Sequence, residues 1–589
     1  MALDGRWPMK ARLLLAGLIL LAAAAGYAAT LDHGFIQDDH PVLRLNPIVE
    51  RGDLVEIWGT DYWAGVGGGD TRLYRPLTLT SFAWQVDGDG ELNTRSAHGA
   101  NLLIHGLCAV LLAFYAMRLG SGVAGAGAAG LLFALHPIHV AAVAPLTGRS
   151  ELLALLFGLA AMLAVDRARE AQGKGVHRLA WLGALALFLA LAAKEIAIVV
   201  PGLALVQLWP RRPNKQPLGW LAARIGPLVA AAAAHLLVRF QVIGSIGGQS
   251  PPLSDNFLAG MTWFESLPTR LALASHALER LIWPASLSAD YSGNVIPAES
   301  SLFALRPLIG LLILLLAATA VVAALRRAAD SDRRRLGLAA GWFLLPWLLA
   351  GNLLLLIGVI FAERLLYFPS AGFCLLLGVG IDLLQRRLPL PSSAARQAAV
   401  WALIAALSVA ALTRTRSEVP YWQDEEALFQ RATITTPDSP RAHFTLAKIR
   451  LRNQQDEQAR QGFQRAVDLW PQFSSAWYEI GLIHARRNEM DPAIENFRRA
   501  LEVRPEHSKA RLGLGQALHR KGRLEEAEQQ LVETLKRNPA EIGAAAELGH
   551  VLLDAGRYED AANIYRQAIA NGREDLRPAL DEALRRLGR

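Results

Sequence analysis

Residues 472–505, QFSSAWYEIGLIHARRNEMDPAIENFRRALEVRP, decide the architecture of the C-terminal part of the chain. Stepping 34 residues in either direction finds the same marks: Pro437, Pro471, Pro505 and Pro539, and Ala459, Ala493, Ala527 and Ala561. Small residues Ala447, Gly481, Gly515 and Gly549 keep the step, and Phe463, Phe497, Leu531 and Tyr565 follow each alanine. Such a period belongs to stacked helical pairs. The small residues let paired helices approach, the larger side chains fill the gap, and proline ends the second helix of each unit.

This is the tetratricopeptide pattern. Four units cover residues 440–572; a connecting segment, 416–439, with Trp422 and Phe429, is expected to cap the array, and 573–589 reads as a terminal solvating helix. Arrays of this kind present concave surfaces to peptides, so a membrane-anchored protein-binding scaffold without chemistry of its own is one reading of this half.

Before residue 415 the composition changes. The 589 residues are 52% hydrophobic, and the apolar ones gather here in runs long enough for a helix to cross ~30 Å of hydrocarbon. Eleven spans are expected: 11–29, 100–118, 122–140, 150–166, 179–193, 196–210, 219–240, 303–325, 336–358, 365–382 and 397–413. The whole is therefore an all-α protein, a polytopic membrane domain over 1–415 followed by a helical solenoid.

Arg6, Lys10 and Arg12 precede the first span, which puts the N-terminus in the cytoplasm and the first loop, 30–99, outside. Later basic clusters agree: Arg167, Arg169, Lys174 and Arg178; Arg211, Arg212 and Lys215; Arg326, Arg327 and Arg333 to Arg335; Arg386, Arg387 and Arg396. All fall on the cytoplasmic side, and the second long outer loop, 241–302, is poorer in them. This accounts for the net charge of +8 without nucleic acid. The run 11–29, ending at Tyr27-Ala28-Ala29, also has the form of a signal peptide, and either way the following loop is delivered outside. Cys108 and Cys374 lie in apolar runs and are given neither chemistry nor a disulfide.

In Phe35-Ile36-Gln37-Asp38-Asp39-His40 two carboxylates stand where the chain leaves the bilayer. Adjacent residues on a regular element point apart, so one is expected to face a reaction centre and the other to be held by backbone or a basic partner. A paired carboxylate at a membrane surface, joined to a repeat domain, points to an enzyme that uses a membrane-held donor on a peptide or protein acceptor. The bland reading is a helix cap or an exposed acidic turn. Further polar residues gather on the same side: His98, Asn101 and His105; His136 and His139; Arg149 and Glu151; Lys194 and Glu195; Glu363, Arg364 and Tyr367. Ionisable residues at membrane depth are costly and are usually paired or functional. No HExxH or CxxC is present, and no metal is expected.

The segments FIQDDHPVLRLNPIV, YRPLTLTSF, HGANLLIH, LLFALHPIHVAAVAPLTGRSELLALLF, AAKEIAIVVP, WPASLSADYSG and AERLLYFPSAGFC, followed by the repeats, resemble the transmembrane-and-tetratricopeptide O-mannosyltransferase family of the C-type glycosyltransferases. The resemblance implies inverting transfer of a sugar, mannose or similar, from a polyprenyl-phosphate carrier to a Ser or Thr hydroxyl on the outer side. It implies Asp38 or Asp39 as the base. The candidates to hold donor phosphate or sugar are Arg75, His136, His139, Arg149, Lys194 and Arg364, with Arg364 and Arg149 foremost; Glu151, Glu195, Glu363 and Tyr367 support them. The lipid-linked sugar is the donor and no cofactor is required. The partners are that donor, an acceptor protein or peptide on the repeats, and membrane lipid. The Ala-, Leu- and Arg-rich sequence with short loops suggests a bacterial inner membrane, with the repeats periplasmic.

In one place the chain departs from the resemblance. His136-Pro137-Ile138-His139-Val140-Ala141-Ala142-Val143 has alanine at 141, where the relatives are expected to carry glutamate. A transporter reading is disfavoured because the charges gather at one face and no inverted repeat is visible.

Overall fold

The structure, a computed structural model, describes residues 8–66, 72–215, 217–247, 249–326, 330–539 and 541–588. Arg6 and Arg327 lie outside the described residues. The fold is helical, and among the described residues β-pairing is limited to one isolated bridge, Val86 with Leu92. The chain divides into two compact units, Met1–Ser292 with Ile296–Thr435, and Gly293–Val295 with Thr436–Arg589.

Among the described residues of the first unit, eight helices are long and apolar enough to cross a membrane: Met9–Asp32, Thr94–Arg118, Leu146–Glu170, Lys174–Ala193, Pro217–Ile243, Leu305–Leu325, Glu363–Arg387 and Ser393–Trp422. Counting the broken pair as one span makes nine, against the eleven expected. The expected span 122–140 is a broken pair, Val123–Leu135 and Pro137–Val143, bent by 44°. The break falls where His136 precedes a proline and takes φ −66°, ψ 124°, the extended backbone that a following proline ring imposes. Span 196–210 contains a nine-residue α-helix, Val200–Leu208, flanked by 3-10 turns Glu195–Val199 and Trp209–Arg211. Span 336–358 stops short because its helix, Ser331–Ala350, begins in the charged Asp332-Arg333-Arg334-Arg335 turn and ends at Ala350.

Close helix crossings depend on missing side chains. A Cβ on Gly125 would lie 2.6 Å from the Gly378 carbonyl oxygen, and one on Gly378 would lie 2.5 Å from that of Gly125. Helices Val123–Leu135 and Tyr367–Arg387 therefore meet backbone to backbone. Between the first two spans, Val42, Ile48, Ile57, Leu79 and Phe82 build a small core of their own, closed by Leu146 at the start of the span Leu146–Glu170. Asn46 and Asp53 cap its short helices Pro47–Arg51 and Leu54–Trp58 by accepting hydrogen bonds from Ile48 N and Val55 N.

The connecting segment belongs to the first unit as far as Thr435. Helix Ser393–Glu418 runs on through a 3-10 turn, Val419–Trp422, and Gly34 N donates to the Gln423 carbonyl at 3.2 Å. Among the described residues of the second unit, eight helices form four pairs between Pro440 and Ala570, and Arg577–Arg586 follows. The small residues act as their spacing predicts: a Cβ on Gly481 would fall 2.7 Å from the Phe497 ring, and one on Gly515 2.8 Å from Leu531.

His519 bridges two repeats, with Nδ1 2.8 Å from Glu547 and Nε2 3.0 Å from Asp554. Burial lowers its pKa, but the two carboxylates outweigh burial and leave it above the ordinary histidine value. A histidine raised on folding contributes stability that is complete below its unfolded pKa of ~6.5 and is lost as pH rises through the folded value. Hydrogen exchange across 508–554 is therefore expected to quicken between pH 6 and pH 9, beyond the intrinsic rise, and His519→Gln is expected to remove that extra dependence.

Candidate active site

The Asp38-Asp39 pair sits in a tight loop. Gln37 takes φ 47°, Asp39 N donates to the Ile36 carbonyl at 2.9 Å, and Val42 N to that of Asp38 at 3.0 Å. The turn sends the two carboxylates apart. Asp39 is fully buried and accepts from Ile36 N at 3.3 Å, Leu146 N at 3.1 Å, Thr147 N at 2.8 Å and Thr147 Oγ1 at 2.9 Å. It pins the 146–148 turn to the first outer loop. Burial pushes its carboxyl up to about 6, against the pull of those donors. Asp38 is half-buried, and among the described residues its side chain has no hydrogen-bond or ion-pair partner.

Tyr62 lies beside Arg75. It is 3% exposed and its hydroxyl has no partner among the described residues. Burial raises its pKa, and the charges acting on it are Arg75, Asp38, Asp39 and Arg364. The Arg75 guanidinium lies 5.4 Å from the centre of the Tyr62 ring and grips Glu195 with two hydrogen bonds, 3.2 and 2.8 Å. Burial works to raise the Glu195 carboxyl, yet Arg75 holds it well below the usual carboxylate range. Next to it, buried Lys194 contacts buried Glu151. These four charges neutralise one another in pairs. Arg364 is half-buried in the Glu363–Leu366 turn and, among the described residues, has no hydrogen bond or ion pair.

The other expected donor-binding residues are placed differently. Arg149 is 1% exposed and lies 3.7 Å from the centre of the Phe82 ring. All three of its nitrogens are engaged by neutral acceptors: Nε by Asn101 Oδ1 at 2.7 Å, Nη1 by Gln85 Oε1 at 2.6 Å and Ser81, and Nη2 by the Ala97 carbonyl at 2.8 Å. It joins the first outer loop to two spans and offers a ligand little.

His136 donates from Nε2 to the Leu281 carbonyl at 2.9 Å and accepts Ile138 N on Nδ1 at 3.2 Å. His139 is fully buried between the Phe133 carbonyl and Ser370 Oγ, both at 2.8 Å. These histidines hold the broken span in shape. Tyr367, fully buried, bonds through its hydroxyl to His105 Nδ1 at 2.9 Å. Glu363 accepts from Ser288 N at 2.7 Å and the Tyr291 hydroxyl at 2.5 Å, and so ties the SADYS segment beside Arg364. Ala141 is buried in Val140–Val143, a short helix that packs against the turn carrying Arg364. Among the described residues no three His, Cys, Asp or Glu side chains gather as a metal ion would need. Cys108 and Cys374 are free thiols, both buried.

Two residues escaped the sequence reading. Thr147 was legible as one of the few polar residues between apolar runs, whereas Tyr62, an aromatic residue in a loop, carries no signal that sets it apart.

Comparison with known proteins adds to this geometry. Tetratricopeptide repeat models match residues 425–472, 444–495, 478–542 and 544–577. The mouse Protein O-mannosyl-transferase TMTC4 is 28% identical over 488 residues, which cover 75% of this chain and 64% of that protein. Its homologues are TMTC-family protein O-mannosyl-transferases. The human TMTC1 protein is 27% identical over 483 residues, 76% of this chain and 53% of its own length. The chain thus spans less than two thirds of these TMTC relatives. Among solved structures, YrrB, described as a TPR protein with an unusual peptide-binding site, is 20% identical and covers 32% of this chain and 89% of its own, with a TM-score of 0.24.

Proposed function

We propose that the protein is an inverting glycosyltransferase of the inner membrane of a bacterium, moving mannose or a similar sugar from a polyprenyl-phosphate carrier to Ser or Thr hydroxyls of a protein. One observation carries this reading: helix Val140–Val143 packs both on the Leu146–Gly148 turn that Asp39 holds and on the turn carrying Arg364, and on these neighbouring elements the side chains of Asp38 and Arg364 have no hydrogen bond or ion pair among the described residues. The names of the homologues support it.

Asp38 takes the proton from the acceptor hydroxyl as that oxygen forms its bond to the anomeric carbon. The bond from that carbon to the phosphate oxygen breaks on the opposite face, and the lipid phosphate leaves with the electron pair. Arg364 meets the charge that develops there. Arg75 with Glu195, and Lys194 with Glu151, hold the surrounding backbone and a balanced field. In this reading the chain crosses the membrane an odd number of times, the broken pair counted among the spans, so the N-terminus is cytoplasmic, the Asp pair and the repeats are periplasmic, and the repeats bind the acceptor.

The test is transfer of radiolabelled sugar from a set of polyprenyl-phosphate sugars to protein, in membranes holding the wild-type chain or an Asp38→Asn variant at matched levels. Label that requires the wild type is the expected result and identifies the sugar. Absence of label with every donor, from a folded protein, would overturn the reading in favour of a membrane-anchored scaffold.

A further inference from the structure

Residues 241–302 contain two arginines and no lysine. Arg270 is buried and engaged by the fold, with Nε 2.8 Å from Ser266 Oγ and Nη1 on the Asn352 carbonyl. Arg280 is placed differently, in the last turn of helix Trp263–Ile282. Its Nη1 lies 3.4 Å from His276 Nδ1 and 3.2 Å from the His276 carbonyl. Arg306, at the start of the span Leu305–Leu325, brings its own Nη1 to 3.1 Å from the same imidazole nitrogen. A ring nitrogen that faces two guanidiniums is an acceptor, which makes His276 neutral. Burial and the two arginines hold its pKa down to about 3. The imidazole therefore joins two positive groups without offsetting either.

Their counter-charges fall short. Arg306 pairs with Glu279 at 2.9 Å, whereas Arg280 has no ion pair among the described residues. Its Nε donates to the Tyr291 hydroxyl at 3.1 Å, and its guanidinium lies 4.9 and 5.2 Å from the centres of the Tyr291 and Phe361 rings. Glu363 is reached only through Tyr291, which donates to it. Nη2 of Arg280, and Nε and Nη2 of Arg306, make no hydrogen bond among the described residues. Two like charges brought together with one direct carboxylate leave positive charge unmatched, and half-buried groups carry that cost until an anion meets them.

The surroundings narrow the choice of anion. Arg306 is the second residue of a span, so the pair stands at the boundary of hydrocarbon and water. That span is the least covered of the eight, 11% buried, with Leu305, Leu308 and Leu312 exposed along it. Ile282, Trp283 and Phe303 are exposed within three residues of Arg280 or Arg306, and tryptophan is typical of that boundary.

We propose that Arg280 and Arg306 bind the phosphate of an anionic glycerophospholipid whose acyl chains lie along Leu305–Leu325. Because the two guanidiniums share one imidazole nitrogen, the oxygens of a single phosphate reach both with hydrogen bonds of about 2.8 Å. A free anion would answer the arginines and leave the leucines bare, whereas a lipid covers both. The inference does not rest on the transferase reading.

The experiment titrates the purified full-length chain in detergent with fluorescent phosphatidylglycerol, and separately with phosphatidylcholine of the same chains. The anionic lipid is expected to bind about tenfold tighter, with added salt narrowing the gap. Arg280→Gln with Arg306→Gln should abolish that preference. Glu279→Gln removes the competing carboxylate and should tighten phosphatidylglycerol about threefold, a gain that misfolding cannot produce. Equal binding of the two lipids, or no gain from Glu279→Gln, would overturn the site. So would three other results: displacement of the lipid by inorganic phosphate at equal concentration, which would point to a soluble anion; preference for undecaprenyl phosphate, which would give the site to the donor; and a dimer that excludes lipid, which would give the face to a second copy.

Discussion

Asp38→Asn is expected to lower sugar transfer by about 10²–10⁴-fold, the usual worth of a general base, while the protein extracts and melts like the wild type. The amide keeps the shape of the side chain and removes its basicity, and no described hydrogen bond or ion pair is lost because Asp38 has none. Asp39→Asn should behave differently. Its carboxylate receives four hydrogen bonds in a fully buried site, and an amide turns an NH2 group toward some of those donors. Leaving them unmatched costs about 1–3 kcal/mol each, so the Asp39 variant should lose thermal stability as well as activity. Melting curves beside transfer rates for the two variants separate the roles. Equal loss of activity with unchanged melting in both would refute the division.

The repeats were legible because a fixed period of small, large and proline residues repeats a physical requirement: Gly481 has no room for a side chain against Phe497, and Gly515 none against Leu531. Long apolar runs were legible for the same reason, since crossing hydrocarbon sets a length. The departures came where hydropathy does not encode continuity. His136-Pro137 bends a run that reads as unbroken, and the Val200–Leu208 helix is shorter than its apolar stretch. At the site, sequence could gather the polar residues but not divide them. Whether an arginine is free or engaged depends on acceptors far away in the chain, and Asn101, Gln85 and Ala97, which hold Arg149, sit 48, 64 and 52 residues from it. The same applies to Asp39, whose partners Leu146 and Thr147 lie 107 and 108 residues on.

That division sets the second large effect, a contrast between two arginines that the sequence ranks together. Arg364→Gln is expected to reduce transfer by about 10²–10³-fold, the scale of losing one donor to a developing anion. It should melt normally, since the half-buried side chain makes no described hydrogen bond or ion pair. Arg364→Lys keeps the charge without the planar fork and should recover part of the rate. Arg149→Gln should instead cost the fold. It strands buried acceptors on Asn101, Gln85, Ser81 and the Ala97 carbonyl and empties the space over Phe82. Several unmatched polar groups at about 1–3 kcal/mol each would take most of the 5–15 kcal/mol that typically separates a folded domain from its unfolded chain. The measurement is the yield of monodisperse protein after detergent extraction, read beside transfer per folded molecule. Loss of yield for Arg149→Gln with full yield and little transfer for Arg364→Gln supports the assignment. The reverse pattern would move the phosphate to Arg149 and require the first outer loop to release it when donor binds.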